Sequence, residues 1–383
     1  MTTPSTAEIL RNPGRTALRG DTATGGGPTP RDFHRRLPGY EPTPLIDAKD
    51  LAAEVGVGRL WVKDEAWRLG LPAFKMLGAS WASYRLLVSR LGTEPEWSSV
   101  DDLAAAVASL GPLTLVAATD GNHGRAVART ARLLGLGAHI LVPEGTASAR
   151  IDAIESEGAR VDVVEGTYDD AIAASAALAS DSALVVSDTS WPGYAEVPQR
   201  VIDGYATIFA EVDEQLGAAD APLPDVIVAQ MGVGALAAAT VAHIRATAGE
   251  DPVVVVVEPL SAACGLRSAE AGEVVVVPGP HRSIMAGLNC GTVSELAWPT
   301  VAAGADWFVA VSDAAAEQAM RDLATVGVTS GETGGAGLAG LRELVASGAA
   351  AIGPDTTVLV LNTEGPTDPE AYERITGIAV EGR

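Results

Sequence analysis

Several features that define other classes of protein are scarce in this sequence of 383 residues. Aromatic side chains make up only 4%, and the two cysteines, Cys264 and Cys290, are too few for a disulfide framework. We expect two buried thiols, and a single disulfide between them is the alternative. The sequence has no apolar stretch of about eighteen residues and no basic segment leading into an apolar one, which predicts neither a membrane span nor a signal peptide. A cytoplasmic protein is therefore expected.

Basic side chains are also in short supply, at 26 against 49 acidic ones, which leaves a formal charge of −23. Such a chain repels phosphate backbones and anionic membranes, so we expect no nucleic-acid partner and no membrane partner. Hydrophobic residues at 47% and charged residues at 20% are ordinary for a globular protein. We expect no metal ion, and the length predicts two lobes rather than one small domain.

From about residue 40 onward, short apolar stretches alternate with helical ones. The five valines at 253–257 are typical of a strand buried on both faces, and residues 198–216 predict one long helix. This alternation predicts an α/β fold of two lobes, each with a mainly parallel twisted sheet flanked by helices. We expect a loosely ordered N-terminal extension over 1–36, a large domain over 37–85 and 200–383, and a small domain over 86–199.

A lysine stands among apolar neighbours at the predicted start of a helix. Lys75 follows Ala73 and Phe74 and precedes Met76 and Leu77. Apolar surroundings and the positive end of a helix both disfavour an ammonium ion, so this position predicts a lowered pKa and a nucleophilic amine. Such amines form Schiff bases with carbonyl compounds. The ordinary alternative is a lysine whose amine reaches solvent from an amphipathic helix.

A second candidate site lies where the predicted strand at 114–117 gives way to a helix. Its residues are Thr119, Asp120, Gly121, Asn122 and His123. Glycine allows a tight turn, and the free N–H groups at a helix start bind anions such as a substrate carboxylate. Asn122 is a candidate hydrogen-bond partner for a phenolic ring oxygen, and Asp120 is a candidate general base. A plain helix N-cap is the alternative.

A third candidate site is the turn after the predicted strand at 226–229. It consists of Gly232, Val233, Gly234 and Ala235. The backbone N–H groups of such a turn can cradle a phosphate. The same segment matches the dinucleotide-binding pattern G-x-G-x-x-[GA], and the next strand ends at Glu258, where a ribose-binding acid belongs. A dinucleotide-dependent oxidoreductase is therefore an alternative, although it leaves Lys75 without a role.

Together these segments resemble the fold-type II pyridoxal-phosphate (PLP) enzymes, the group of threonine dehydratase and tryptophan synthase β. The diaminopropionate ammonia-lyase branch of that group is the closer match. The stretches that carry the resemblance are KDE (63–65), GLPAFK (70–75), TDGNHGR (119–125), DTSWPGY (188–194), SIMAGL (283–288), GETGG (331–335) and TEGPTDP (363–369). The resemblance implies a tryptophan synthase β-like fold, and because enzymes of this group are commonly dimers, it also implies a homodimer.

The resemblance assigns the cofactor-binding residues. Lys75 would hold the cofactor, pyridoxal 5′-phosphate, as a Schiff base, with the 232–235 turn on its phosphate. Asn122 would bind the ring hydroxyl. Thr363, or less readily Asn362, would face the pyridine nitrogen. A neutral partner there leaves that nitrogen largely unprotonated, which suits elimination reactions.

The resemblance also assigns the substrate-binding residues. Asp120 and Asp188 would be the active-site carboxylates, while Thr119, Gly121 and His123 would bind the substrate carboxylate. The expected reaction is α,β-elimination on a small amino acid, converting 2,3-diaminopropionate to pyruvate and ammonia, since two carboxylates suit a β-ammonium group. A serine or threonine dehydratase and a β-replacement synthase remain alternatives within the group.

Overall fold

The computed structural model describes residues 7–18, 28–119 and 121–380. The strands, in chain order, are β1 (Ala7–Arg11), β2 (Leu45–Asp47), β3 (Arg59–Asp64), β4 (Thr114–Ala118), β5 (Gly137–Pro143), β6 (Arg160–Val164), β7 (Ala183–Val185), β8 (Val226–Gln230), β9 (Val253–Pro259), β10 (Trp307–Val311) and β11 (Thr357–Asn362). The helices are α1 (Pro30–His34), α2 (Lys49–Val55), α3 (Lys75–Leu91), α4 (Val100–Ala108), α5 (Asn122–Leu133), α6 (Ser148–Glu155), α7 (Tyr168–Ala177), α8 (Glu196–Gly204), α9 (Ala206–Ala218), α10 (Ala235–Thr247), α11 (Cys264–Ala271), α12 (Trp298–Gly304), α13 (Asp313–Thr325), α14 (Glu332–Ser347) and α15 (Pro369–Thr376). Short 3-10 helices span Leu260–Ala262 and Ala286–Leu288.

The chain divides into two compact units. The first lies within Met1–Gly25, Pro42–Trp67 and Ile208–Arg383, and the second within Gly26–Glu41 and Arg68–Thr207. These limits differ from the domain limits expected from the sequence, which assigned most of α3 to the large domain. The whole of α3 belongs to the second unit, because it packs against α5 and α8 of that unit.

The first unit contains a seven-stranded sheet in the order β1-β10-β9-β8-β11-β3-β2. The inner strands are parallel, and β1 and β2 join the two edges antiparallel. The strand β1 corrects the expected loose extension over 1–36, since Ala7 pairs with Val311 and Arg11 with Trp307. The mainly parallel α/β fold expected from the sequence is confirmed.

Valine side chains form the centre of the first unit. All of the residues 254–257 in β9 are buried, which is the condition of a strand covered on both faces. On one face, α14 approaches closely because Gly340 has no side chain. An ideal Cβ at Gly340 would lie 2.4 Å from Val257 Cγ2. The sheet therefore places the carboxyl ends of its parallel strands rigidly, and the loops that follow β8 and β11 start from these ends.

The second unit contains a four-stranded parallel sheet in the order β6-β5-β4-β7. It also holds α1, which corrects the expected loose extension over residues 30–34. The parts of that expectation at 1–6 and 19–27 lie outside the described residues. Thr29 caps this helix, and its side chain and that of Asp32 form a reciprocal capping box. Phe33 then stacks on Tyr84 with ring centroids 4.5 Å apart. The burial of this ring anchors α1 against α3.

The predicted long helix at 198–216 is interrupted. It consists of α8 and α9, with Tyr205 between them. Gly204 lies directly against α3, where an ideal Cβ would be 2.6 Å from Leu77 O. This close approach is a tertiary contact that the helical pattern of the sequence does not contain.

Across the described ranges, no helix is long and apolar enough to cross a membrane. The same residues contain no cluster of three or more histidine, cysteine, aspartate or glutamate side chains arranged to hold a metal ion.

Candidate active site

Lys75 is the first residue of α3 in the second unit, as the sequence predicted. The chain reaches it through a tight turn in which Arg68 and Leu71 exchange backbone hydrogen bonds. The two central residues, Leu69 and Gly70, have φ values of 52° and 77°. A left-handed leucine is strained, and such strain is concentrated at functional sites. The turn thus fixes the chain just before the lysine.

The amine of Lys75 lies against a carboxylate rather than among apolar side chains alone. Its Nζ donates a hydrogen bond to Asp188 Oδ2 at 2.7 Å. Phe74 provides an apolar wall on one side, with its ring centroid 5.4 Å from the amine. The sequence predicted apolar neighbours for Lys75, and the resemblance added Asp188 as an active-site carboxylate. Asp188 follows β7 of the second unit and reaches the amine although it is distant from Lys75 in the chain.

Asp188 is buried, and besides Lys75 it faces two other groups of the second unit. Tyr168 Oη donates to its Oδ1 at 3.2 Å, and His123 Nδ1 lies 4.0 Å from its Oδ2. Burial by itself would raise the pKa of this carboxyl. The charges of Lys75 and His123 and the hydrogen bonds from Lys75 and Tyr168 outweigh burial and hold the pKa well below its ordinary value. The site therefore presents an ionised carboxylate.

Tyr168 and Tyr205 are two site residues that the sequence reasoning missed. Tyr168 opens α7 behind a Thr167–Asp170 capping box, a pattern that marks a helix start but does not show which residues the helix start faces. Tyr205 lies in the break between α8 and α9, and its ring centroid is 4.7 Å from that of Phe74. The pKa of Tyr205 is raised above its ordinary value. Burial is the main cause and Asp188 adds to it, while the nearby Lys75 acts in the opposite direction.

The second candidate segment joins β4 to α5. Asp120, expected to be a catalytic carboxylate, lies outside the described residues. Gly121 has a φ of 155°, and its N–H donates to Thr119 Oγ1 at 2.9 Å. Asn122 begins α5, so the first N–H groups of the helix are at this turn. His123 turns its side chain inward, where Nε2 donates to Val186 O at 2.8 Å.

The glycine turn belongs to the first unit and joins β8 to α10, which begins at Ala235. An ideal Cβ at Gly232 would lie 3.0 Å from Gly287 O and 3.2 Å from Cys290 Sγ, so a side chain there would be crowded. Gly234 has a φ of 103°, a left-handed conformation that favours glycine. The arrangement leaves backbone N–H groups at the start of α10 for an anion.

Thr363 follows β11 and is buried. Its Oγ1 has no hydrogen-bond partner among the described residues. The neighbouring Asn362 donates its side-chain amide to Asp64 Oδ1 at 2.8 Å. A buried hydroxyl without a partner is costly unless a ligand supplies one. Both the Thr363 hydroxyl and the glycine turn therefore fit a ligand with a polar ring atom and a phosphate, which PLP provides.

Glu258 does not have the ribose-binding role that the dinucleotide pattern suggested. Its side chain is buried, and it accepts the backbone N–H groups of Gly265 at 2.7 Å and Leu266 at 2.8 Å. Burial raises the pKa of Glu258 to about 7, against the opposing effects of these bonds, of Cys264 and of Arg267. Both oxygens of the carboxyl group therefore bind the start of α11.

The two cysteines are both free and buried, as expected, and both lie against the glycine turn. Cys264 Sγ is 3.9 Å from Gly232 O, and Cys290 Sγ approaches the same glycine. Burial, together with the nearby Glu258 and Cys290, raises the pKa of the Cys264 thiol. Both side chains support the glycine turn, and the single bridge that the sequence left open is not formed.

Comparisons with known proteins agree with these features. The family model described as pyridoxal-phosphate dependent enzyme matches residues 36–364. The diaminopropionate ammonia-lyase of Escherichia coli strain K12 is 36% identical over 361 residues, which cover 90% of this chain and 89% of that protein. Crystal structures of the Escherichia coli enzyme in complex with D-serine and with an aminoacrylate-PLP azomethine reaction intermediate superpose with TM-scores of 0.88 and 0.84, at 34% and 33% identity. In both cases the match covers 97% of this chain and 96% of the other.

The chain belongs to the pyridoxal-phosphate dependent enzyme family. It is a fold-type II enzyme whose cofactor is pyridoxal 5′-phosphate, and it is homologous to a carbon–nitrogen lyase, diaminopropionate ammonia-lyase. The PLP enzyme expected from the sequence is confirmed, and the dinucleotide-dependent oxidoreductase alternative is wrong.

Proposed function

We propose that this protein catalyses α,β-elimination of 2,3-diaminopropionate, which takes up water and yields pyruvate and two molecules of ammonia. The observation that carries the proposal is the buried, ionised Asp188 beside the amine of Lys75. A substrate with a β-ammonium group needs such an anionic partner, whereas the hydroxyl of serine does not. The similarity to diaminopropionate ammonia-lyase over nine-tenths of the chain supports the same substrate.

We assign the binding residues as follows. Lys75 binds the cofactor covalently, and the backbone of the turn over 232–235 binds its phosphate. Asn122 binds the ring hydroxyl, and Thr363 binds the pyridine nitrogen, which would satisfy its buried hydroxyl. When bound, PLP supplies an electron sink that stabilises negative charge at the substrate Cα.

The substrate carboxylate is assigned to Thr119, Gly121 and His123. In this assignment, the backbone N–H groups at the start of α5 make the contact, because the side chain of His123 is already bonded to Val186 O. A helix start is suited to an anion, since its first N–H groups lack partners within the helix.

The proton transfers are assigned to Lys75, Asp120 and Asp188. The freed amine of Lys75 removes the Cα proton, with Asp120 as the second candidate base. Asp188 holds the β-ammonium group and orients it for departure as ammonia. Tyr168 and His123 keep Asp188 in place. Tyr168 donates a hydrogen bond to its Oδ1, and His123 faces its Oδ2.

A keto-acid assay tests the proposed function directly. Pyruvate or 2-oxobutyrate formation is measured from 2,3-diaminopropionate, serine and threonine, in both D and L forms at matched concentrations. We expect diaminopropionate to be turned over about 10–100-fold faster, since a hydroxyl leaves the buried carboxylate without its cationic partner. Faster turnover of serine or threonine would replace this proposal with the dehydratase alternative.

We further propose that the protein is a homodimer, which the resemblance to fold-type II enzymes supports. Sedimentation of the purified holoenzyme tests this proposal, and a monomer at micromolar concentration would refute it.

A further inference from the structure

Glu258 is a buried carboxyl group to which the proposed reaction gives no role. It stands near the end of β9, and its side chain reaches the start of α11. Its Oε1 accepts the N–H of Gly265 at 2.7 Å, and its Oε2 accepts the N–H of Leu266 at 2.8 Å. Because these are first-turn N–H groups without partners inside the helix, the carboxyl group fixes the position of the α11 start.

The start of α11 lies directly against the glycine turn. Cys264 Sγ is 3.6 Å from Glu258 Oε1 and 3.9 Å from Gly232 O, so the thiol spans from the carboxyl group to the turn.

Gly265 provides a second contact with the glycine turn. An ideal Cβ at Gly265 would lie 2.8 Å from Met231 Cε, and the same methyl carbon lies 3.5 Å from the Cβ position of Gly234. The side chain of Met231 therefore fills the space that separates α11 from the turn.

We propose that Glu258 is a positioning residue that holds the glycine turn, through α11, in the conformation that binds the cofactor phosphate. The proposal rests on the assignment of the 232–235 turn to the phosphate. If the carboxyl group is replaced, the first N–H groups of α11 lose an acceptor and the helix start shifts. Gly232 and Met231 then lose their support, and the backbone N–H groups that face the phosphate lose their alignment.

The test compares the affinities of the apoenzyme for PLP and for pyridoxal, which lacks the phosphate. Each ligand is titrated into protein freed of cofactor, and binding is followed by absorbance. The variant is Glu258→Gln, whose amide group cannot accept the second N–H. We expect the preference for PLP over pyridoxal to fall about tenfold, with pyridoxal affinity unchanged, because the carboxyl group supports only the phosphate contacts. An equal change in both affinities, or no change, overturns the proposal.

Two further variants make the result decisive. Glu270→Gln removes an exposed carboxylate from the same helix and should leave both affinities as they are in the wild type. Cys264→Ala removes only the thiol that links Glu258 to Gly232, and we expect the preference for PLP to fall about threefold. If Glu258→Gln does not fold, Cys264→Ala decides the question, and an unchanged preference then refutes the proposal.

The failure of this proposal is distinguishable from failure of the phosphate assignment itself. Gly234→Asp acts on the turn directly. If the turn binds phosphate, this variant should lower the preference for PLP whether or not Glu258 positions the turn. A lowered preference in Gly234→Asp with an unchanged one in Glu258→Gln refutes only the role of Glu258. An unchanged preference in both variants refutes the phosphate assignment as well.

Discussion

Lys75 and Asp188 form an ion pair with Nζ and Oδ2 2.7 Å apart, although they lie 113 positions apart in the chain. One residue opens a helix and the other follows a strand of the second unit. Tyr168 donates a hydrogen bond to the other carboxylate oxygen of Asp188, Oδ1. The pair places an ionised carboxylate next to the amine that we assign to the cofactor. Substituting either residue therefore tests the assignment.

Lys75→Ala should lose the absorbance band of the covalently bound cofactor and nearly all activity, because Lys75 is proposed as the covalent anchor and as a base. Borohydride reduction of the wild-type holoenzyme followed by peptide mapping should place the pyridoxyl group on Lys75. A pyridoxyl group on another lysine would refute the assignment.

Asp188→Asn should keep the fold and the cofactor band yet lose most of the preference for diaminopropionate over serine. The amide removes the negative charge that faces the β-ammonium group, so the ratio of the two kcat/KM values should fall about 10–100-fold. Pyruvate formation from each amino acid measures the ratio. Asp181→Asn, which changes a fully exposed carboxylate in the same unit, is the matched control. An unchanged ratio in Asp188→Asn would show that Asp188 does not select the substrate.

Gly234→Asp should weaken the binding of PLP, since the new carboxylate repels the phosphate and the left-handed backbone is strained by any side chain. The ideal Cβ would also lie 3.2 Å from Ala297 Cβ. Cofactor retained after dialysis is the measurement. Gly249→Asp is the control, because Gly249 has a φ of 68° with nothing within 4 Å of its Cβ position. Equal retention in both variants would mean that the turn is not the phosphate site.

Thr363→Val should have opposite effects on the apoenzyme and on the holoenzyme. Without cofactor, the valine removes a buried hydroxyl that has no partner among the described residues, and the free energy of unfolding should rise by about 1 kcal/mol. With cofactor, the partner of the pyridine nitrogen is lost, and turnover should fall.

Thr240→Val is the control for Thr363→Val, because the buried Thr240 hydroxyl donates to Leu236 O at 2.9 Å. Its replacement should lower the free energy of unfolding rather than raise it. Denaturant titration of the three apoenzymes measures the effect. A loss of stability in Thr363→Val equal to that in Thr240→Val would show that the Thr363 hydroxyl is already satisfied.

Glu258 should make the stability of the protein depend on pH. Burial raises its pKa to about 7 in the folded state, from 4.5 as the ordinary value. The folded state thus binds the proton more tightly, so its contribution to stability is complete below pH 4.5 and is lost as the pH rises through 7. Relative to Glu258→Gln, the free energy of unfolding of the wild type should fall by about 2 kcal/mol from pH 5.5 to pH 8. A difference that does not vary with pH would refute the raised pKa.

Much of the fold follows from patterns local in the sequence. The valines of β9 predicted a buried strand from a few neighbouring residues. The strand β1 was not predicted, because its pairing with β10 joins segments about three hundred residues apart. The interruption at Tyr205 was likewise missed, because it depends on the close packing of Gly204 against α3.

The sequence by itself determined the α/β class and Lys75 at a helix start, since these depend on residue types and short spacings, and the cofactor followed from the resemblance of its motifs to fold-type II enzymes. Only the tertiary structure decided what surrounds them. It brought Lys75, Tyr168 and His123 together around the carboxylate of Asp188. It also showed that Glu258 accepts hydrogen bonds from the start of α11, which excludes the ribose-binding role. The direction of a side chain and the identity of its partners depend on how distant elements pack, and no local pattern of residues carries that information.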